Sequence, residues 1–316
     1  MPNFIPLHIH TGYSFLESGI LLERLFDVAQ KYNYSYLGIT DFDVMYGFPE
    51  FNALAKKNNI KPIFGVDLKV DENRISLFVK NETGYKNLTK IIAFKNKAKL
   101  DGFSLKLNDI KDSCDGLICV VPTEENEFFK TINDETRTKM FEFCKVFENI
   151  FIGISEYSVE EISHLKLIMD FAKEYSYSTL PFPNILYLNK DEAIVLDILD
   201  AIKRNTTIEE DIKPTHLKEY LKNFHEYTDY YPVESQLIFD DFLKLIDFDF
   251  DTKRGELINF SENEDSKDIF IEKIKEGAKL RGIDLNVPAY KNRLNHEYKV
   301  IKNLGYINYF LVVQDY

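Results

Sequence analysis

The amino-acid sequence predicts an α/β protein: a TIM-like barrel of β/α units followed by a mostly helical segment. Short β-like runs alternate with stretches whose apolar residues recur every three or four positions, the pattern of repeated β/α units. After about residue 205 the strand pattern thins out and helical periodicity takes over. An open parallel sheet fits the same alternation. No glycine-rich phosphate loop follows the first strand, and a barrel with its chemistry at strand C-termini is the preferred reading.

The expected strands, in order, are FIPLHIH (4–10), YLGITD (36–41), PIFGVDLKV (62–70), ISLFVK (75–80), GLICVVP (116–122), IFIGIS (150–155) and STLPFPNILYL (178–188). Helical spacing places Leu21, Leu22, Leu25, Phe26 and Ala29 on one face of an early helix, and Ile162, Leu165, Ile168, Met169 and Ala172 on one face of a later one. Beyond residue 205, THLKEYLKNFHEY (215–227), VESQLIFDDFLKLIDF (233–248) and SKDIFIEKIKEGAKLRGI (266–283) read as helices, with SENEDSK (261–267) as an acidic loop. The expected organisation is a barrel over 1–205, a helical connection over 206–265 and a further segment over 266–316.

Composition narrows the class. A chain of 316 residues, 45% hydrophobic and 29% charged, can bury a large core and carries no apolar run of the roughly 20 residues that span a bilayer. No secretory signal is visible at the N-terminus. Cys114, Cys119 and Cys144 are odd in number and lack CxxC spacing, which argues against a disulfide framework and a thiolate zinc site and fits a cytoplasmic setting. The net charge of −13 opposes a surface that grips phosphates throughout, and leaves room for a local basic patch.

His8 and His10 stand at i and i+2 on the first expected strand, so both imidazoles project to one face. Two such rings at a strand end can share metal ions, and they can equally form a buried, hydrogen-bonded pair. Asp41 closes the second strand and Asp67 lies in the third; on parallel neighbours both carboxylates would gather near the histidines. An aspartate at a strand end also serves as a turn former. The later strand ends offer Arg74, Pro122, Thr123, Glu156, Tyr157, Asn184 and Leu186, of which Glu156 alone is an anionic ligand candidate. His164, His216, His225 and His296 form no second cluster, and no nucleophile motif is present.

PLHIHTGYSFLESGI, LGITDFDVMYGFPEFNALAKKNNIKPIFGVDLKV and VKNETGYKNLTKII resemble the N-terminal PHP (polymerase and histidinol phosphatase) domain of the bacterial DNA polymerase III alpha family, in its shorter form without an inserted exonuclease. NILYLNKDEAIVLDILDAI resembles the end of that domain, and RLNHEYKVIKNLGYINYFLVVQDY the start of the palm domain, so 266–316 is expected to lead into the palm. The resemblance implies a distorted barrel of about seven β/α units whose rim, in relatives with an intact site, holds a multinuclear metal cluster that supports phosphoester hydrolysis.

Carried over residue by residue, His8, His10 and Asp41 match the family's ligands, and Asp67 stands where the family prefers Glu. Phe42, Arg74 and Tyr157 stand where the family has His, and Asn184 and Leu186 replace the final Asp and His. Phe and Leu offer no lone pair and Arg is a fixed cation, so the cluster is expected to be vestigial, with no cofactor in these residues. Zinc or manganese is expected only if the site is intact, and magnesium only for a full-length polymerase.

The resemblance further implies that the polymerase carboxylates lie beyond residues 293–316. Residues 1–316 alone are then expected not to polymerise DNA and to act as a scaffold within a longer enzyme. Its implied partners are DNA, met through downstream domains, and replisome subunits such as the sliding clamp, with no membrane. Two other readings stay open: a metal-dependent phosphoesterase or 3′ to 5′ exonuclease, and a module that docks a separate proofreading subunit.

Overall fold

The computed structural model describes residues 4–124, 126–156, 162–207, 217–231, 233–250, 260 and 265–315. Two compact units, Met1–Phe250 and Asp251–Tyr316, divide the chain.

The first unit is built on one curled sheet of six strands in the order of the sequence: β1 (Tyr36–Phe42), β2 (Lys61–Val70), β3 (Asn73–Val79), β4 (Leu117–Pro122), β5 (Asn149–Ile154) and β6 (Ser178–Pro181). Strands β1–β2, β4–β5 and β5–β6 pair in parallel. β3 departs from the expected all-parallel arrangement, running antiparallel to both β2 and β4. The reason is local. Asp71 and Glu72 alone separate β2 from β3, both at positive φ (46° and 66°), which is the geometry of a two-residue hairpin whose twist matches its strands.

Residues 4–10 run along the free edge of β1. The amides of Gly38 and Thr40 donate to the carbonyls of Pro6 and Ile9, both at 2.8 Å. On their other side, His10 N donates to Ile185 O and Ile185 N to His8 O, both at 3.0 Å. Backbone pairing thus passes from β1 through residues 6–10 to Ile185, just after β6, and the distorted barrel is closed there. Only Ile9 forms a β-bridge in this stretch. Pro181 and Pro183, which have no N–H to donate, end the last expected strand after four residues. Gly38 is required by the crossing, because a Cβ there would stand 2.2 Å from the carbonyl oxygen of Leu7.

Helices cover the barrel where the spacing predicted them, including Leu22–Lys31, which buries Leu22, Leu25, Phe26 and Ala29, and Ile162–Glu174. Leu21 departs from the expected face: it caps the first helix and is exposed. Met169 is likewise exposed while Ile168 is buried.

The stretch 215–227 is corrected. Of its described part, 217–227, the first seven residues, 217–223, are not helical: Tyr220 bridges to Tyr187 in parallel, and the helix Phe224–Tyr230 starts only where the Asn223 side chain accepts from the amides of His225 and Glu226. This segment and the helix Val233–Leu245 pack on the barrel. Tyr227 stacks on Phe4 at 3.7 Å, and Phe242 meets Phe78 and Phe151, each at 5.4 Å.

In the second unit, Ser266–Leu280, Pro288–Asn303 and Ile307–Asp315 are helices around Phe270, Ile307 and Leu311. Of the expected acidic loop, 261–264 lie outside the described residues, and Asp265 caps the first helix through the amide of Lys267.

Candidate metal centre

His8 and His10 are aimed by their strand parity into the barrel, where both are buried. Asp67 reaches them from β2, and these three groups place one donor atom each within 4.8 Å of one another, a group able to hold a metal ion. His8 Nε2 donates to Asp67 Oδ2 at 2.9 Å, and His10 Nε2 lies 3.7 Å from the same oxygen. Ser76, paired with Asp67 in the β2–β3 register, donates its hydroxyl to Oδ1.

Asp41 does not join this group. Its two oxygens are occupied by the turn after the histidines: Oδ1 accepts from the Thr11 amide at 2.6 Å and from Ser14 Oγ at 2.6 Å, and Oδ2 from Thr11 Oγ1 at 2.8 Å. Burial raises its pKa, while the Ser14 and Thr11 hydrogen bonds work against the rise.

Four of the five positions that depart from the family pattern converge here. Phe42, Arg74, Asn184 and Leu186 line one cleft of about 200 Å³. Tyr157 lies outside the described residues. Phe42 lies flat on His10, with ring centres 4.0 Å apart and planes within 4°. The Arg74 guanidinium lies 4.1 Å above the outer face of Phe42, and its Nε is 3.8 Å from Asp67 Oδ2. Phe182 covers His8 in the same way, at 4.2 Å. Pro122 ends β4, and the Thr123 hydroxyl accepts from the Ser155 amide at 3.2 Å.

The electrostatics follow from this packing. Burial acts to raise the Asp67 carboxyl, but His8, His10 and Arg74 outweigh it and hold the pKa down at about 2. For His10, burial is the main cause of a pKa well below 6.5, assisted by His8 and Arg74 against the pull of Asp67, so the ring is neutral at physiological pH.

Glu156, the remaining anionic candidate, is answered by a residue without a sequence signal. Lys222, from the segment after the barrel, brings Nζ to 2.6 Å from Oε1, with the two side chains 1% and 3% exposed. Ser76 was legible in principle, since it shares strand parity with Arg74 opposite Asp67. Lys222 was not, because nothing local marks a lysine in LKEYLKNF as buried.

The fit to a metal can be tested on these contacts. Three donors suffice for a single ion with open positions. Both ring nitrogens of His10 and Nδ1 of His8 are buried without a hydrogen-bond partner, as ligand atoms would be. A multinuclear cluster does not fit, because Asp41 is engaged elsewhere, Glu156 is bound to Lys222, and a guanidinium stands beside the one converging carboxylate.

Residues 6–160 match the family model of the PHP domain. The chain carries a PHP domain. The DNA polymerase III subunit alpha of Streptococcus pyogenes serotype M3 (strain ATCC BAA-595 / MGAS315) is 26% identical over 319 aligned residues, 99% of this chain and 28% of that protein. That of Staphylococcus aureus (strain COL) is 28% identical over 98% of the chain and 27% of its own length. The chain therefore spans somewhat more than a quarter of these curated relatives, with the PHP domain in its first half. Among solved structures, an amidohydrolase from Chromobacterium violaceum is similar with a TM-score of 0.45 and 12% identity, over 56% of this chain and 86% of that one. No helix among the described residues is long and apolar enough to cross a membrane.

Proposed function

We propose that these 316 residues are the N-terminal portion of a cytoplasmic DNA polymerase III alpha subunit, in which the PHP domain is a scaffold and its metal cluster is vestigial. The carrying observation is the similarity to that subunit along 99% of the chain, well past the PHP domain; residues 293–316 are read as the start of the palm on their resemblance. The replacement of metal ligands by Phe42, Arg74, Asn184 and Leu186 around one cleft supports the loss of the cluster. DNA and the other replisome subunits, the sliding clamp among them, are met by the whole polymerase, whose magnesium-binding carboxylates lie outside these residues.

Chemically, the PHP site is arranged for retention rather than turnover. Hydrolysis needs water and a phosphoester at the metal. Here His8, His10 and Asp67 are buried, and a phenyl ring covers each imidazole. The residues hold one another: Asp67 fixes His8, Ser76 fixes Asp67, and Phe42 with Arg74 closes the face over His10.

Metal analysis by mass spectrometry on protein purified without chelator tests the reading. Less than a tenth of an equivalent of zinc or manganese is expected, and near-stoichiometric metal overturns it. Primer extension by residues 1–316 is expected to show no incorporation, and templated incorporation refutes that part. The three donors within 4.8 Å favour a second reading, a metal-dependent phosphoesterase or 3′ to 5′ exonuclease on His8, His10 and Asp67. Stoichiometric metal together with metal-dependent release of nucleotides from a 3′ end would establish it.

A further inference from the structure

A buried aspartate is costly unless a positive charge accompanies it. In a working PHP centre that charge comes from the metal. Here the carboxylate of Asp67 is 1% exposed, and the nearest groups are two imidazoles, the Ser76 hydroxyl and Arg74. Arg74 is the one permanently charged cation shown against this carboxylate among the described residues.

The guanidinium is held in place from two directions. Its face lies on Phe42 at 4.1 Å, and Phe42 lies on His10 at 4.0 Å. Its strand is fixed from outside, where Asn126 Nδ2 donates to the Arg74 backbone carbonyl at 2.8 Å. The β2–β3 hairpin sets Arg74 opposite Lys69, two residues along from Asp67, so that the charge returns to the rim on the antiparallel strand. Phe42 lies opposite Asp67 on the other flank. Two of the residues that break the family's ligand pattern thus act together: Phe42 supplies the surface and Arg74 the charge.

We propose that the Arg74 guanidinium, seated on Phe42, takes over the charge-balancing role of the metal ion, making this barrel rim a metal-independent ion-paired plug. The inference rests on the metal-free reading above and goes beyond it, since a site can lose its metal without gaining a substitute. Lys222 against Glu156 is a second case of a buried carboxylate in the same barrel answered by a protein cation.

A double-mutant cycle of Arg74→Gln and Asp67→Asn on the 316-residue protein, read by thermal melts in EDTA, tests it. Arg74→Gln is expected to lower Tm by about 5 °C, and to lower it by less than about 1 °C when Asp67 is already Asn, because the charge it serves is gone. Losses that add in full overturn the proposal, since they would mean that Arg74 contributes packing alone. If Asp67→Asn does not fold, Arg74→Lys and Arg74→Met replace it. Lys keeps the charge and Met keeps the apolar bulk, so Lys melting above Met upholds the proposal and Lys melting at or below Met refutes it.

Metal content measured on the same wild-type sample keeps the two ideas apart. Stoichiometric metal defeats the metal-free reading. A metal-free wild type with no coupling in the cycle defeats the Arg74 assignment alone.

Discussion

Replacing Lys222 by Met leaves Glu156 buried without its partner. The pair is 2.6 Å long with both side chains at most 3% exposed, and the ammonium also donates to the Lys218 carbonyl at 2.5 Å and sits 4.2 Å from the Tyr220 ring. Burial raises the Glu156 pKa and lowers that of Lys222, in each case outweighing the opposing pull of the other's charge. Removing one partner of a buried pair costs about 3–5 kcal/mol, whereas removing both costs little or nothing. At about 2–4 °C per kcal/mol for a domain of this size, Lys222→Met should lower Tm by about 6–20 °C. Lys222→Met with Glu156→Leu should recover most of that. Urea unfolding at pH 7, followed by circular dichroism, gives the free energies. A single variant within about 1 kcal/mol of wild type, or a double variant as unstable as the sum of the singles, refutes the reasoning.

Three further outcomes follow from the same contacts. The Asp67 pKa, held at about 2 against an ordinary 3.8, contributes about 2 kcal/mol that is complete above pH 4 and lost as pH falls toward 2; acid unfolding of Asp67→Asn should lack that component of the slope. His10 is depressed below 6.5, so the unfolded chain takes up its proton first and stability falls as pH drops below about 6.5; His10→Gln should flatten the stability curve between pH 6.5 and 5, and an unchanged curve would contradict the neutral, buried ring. Gly38→Ala should destabilise by about 2 kcal/mol or more in urea titrations, because its methyl meets the Leu7 backbone at 2.2 Å and neither chain can yield without breaking the Gly38 to Pro6 hydrogen bond.

Much of this architecture was legible because the strands are short apolar runs with period-two parity. His8, His10 and Asp67 could be placed on a common rim from spacing alone, and the departures at Phe42, Arg74, Asn184 and Leu186 did converge on one cleft. What failed to show was orientation and long-range pairing. Asp71–Glu72 carries no glycine, so the hairpin that reverses β3 was hidden, and with it the return of Arg74 to the rim. Asp41 looked like a ligand and proved to organise the Thr11–Ser14 turn, a choice made by hydroxyls one and four residues past the second histidine. Residues 217–223 have helical spacing, yet pairing with Tyr187 draws them out straight.

The closure of the barrel through residues 6–10 also sets a clock for synthesis. Ile9 and its bridge partner Ile185 are 176 positions apart, whereas Gly38 and Thr40, on the other flank, follow within about 30 residues. At the usual 5–20 residues per second, the ribosome needs about 10–35 s to deliver Ile185 after Ile9 has been made. During that interval the growing chain can zip its first segment to β1 and form the β2–β3 hairpin, while His8 and His10 have one flank open to water. The nascent protein therefore passes through a stage in which both imidazoles are accessible, and the finished barrel removes that access.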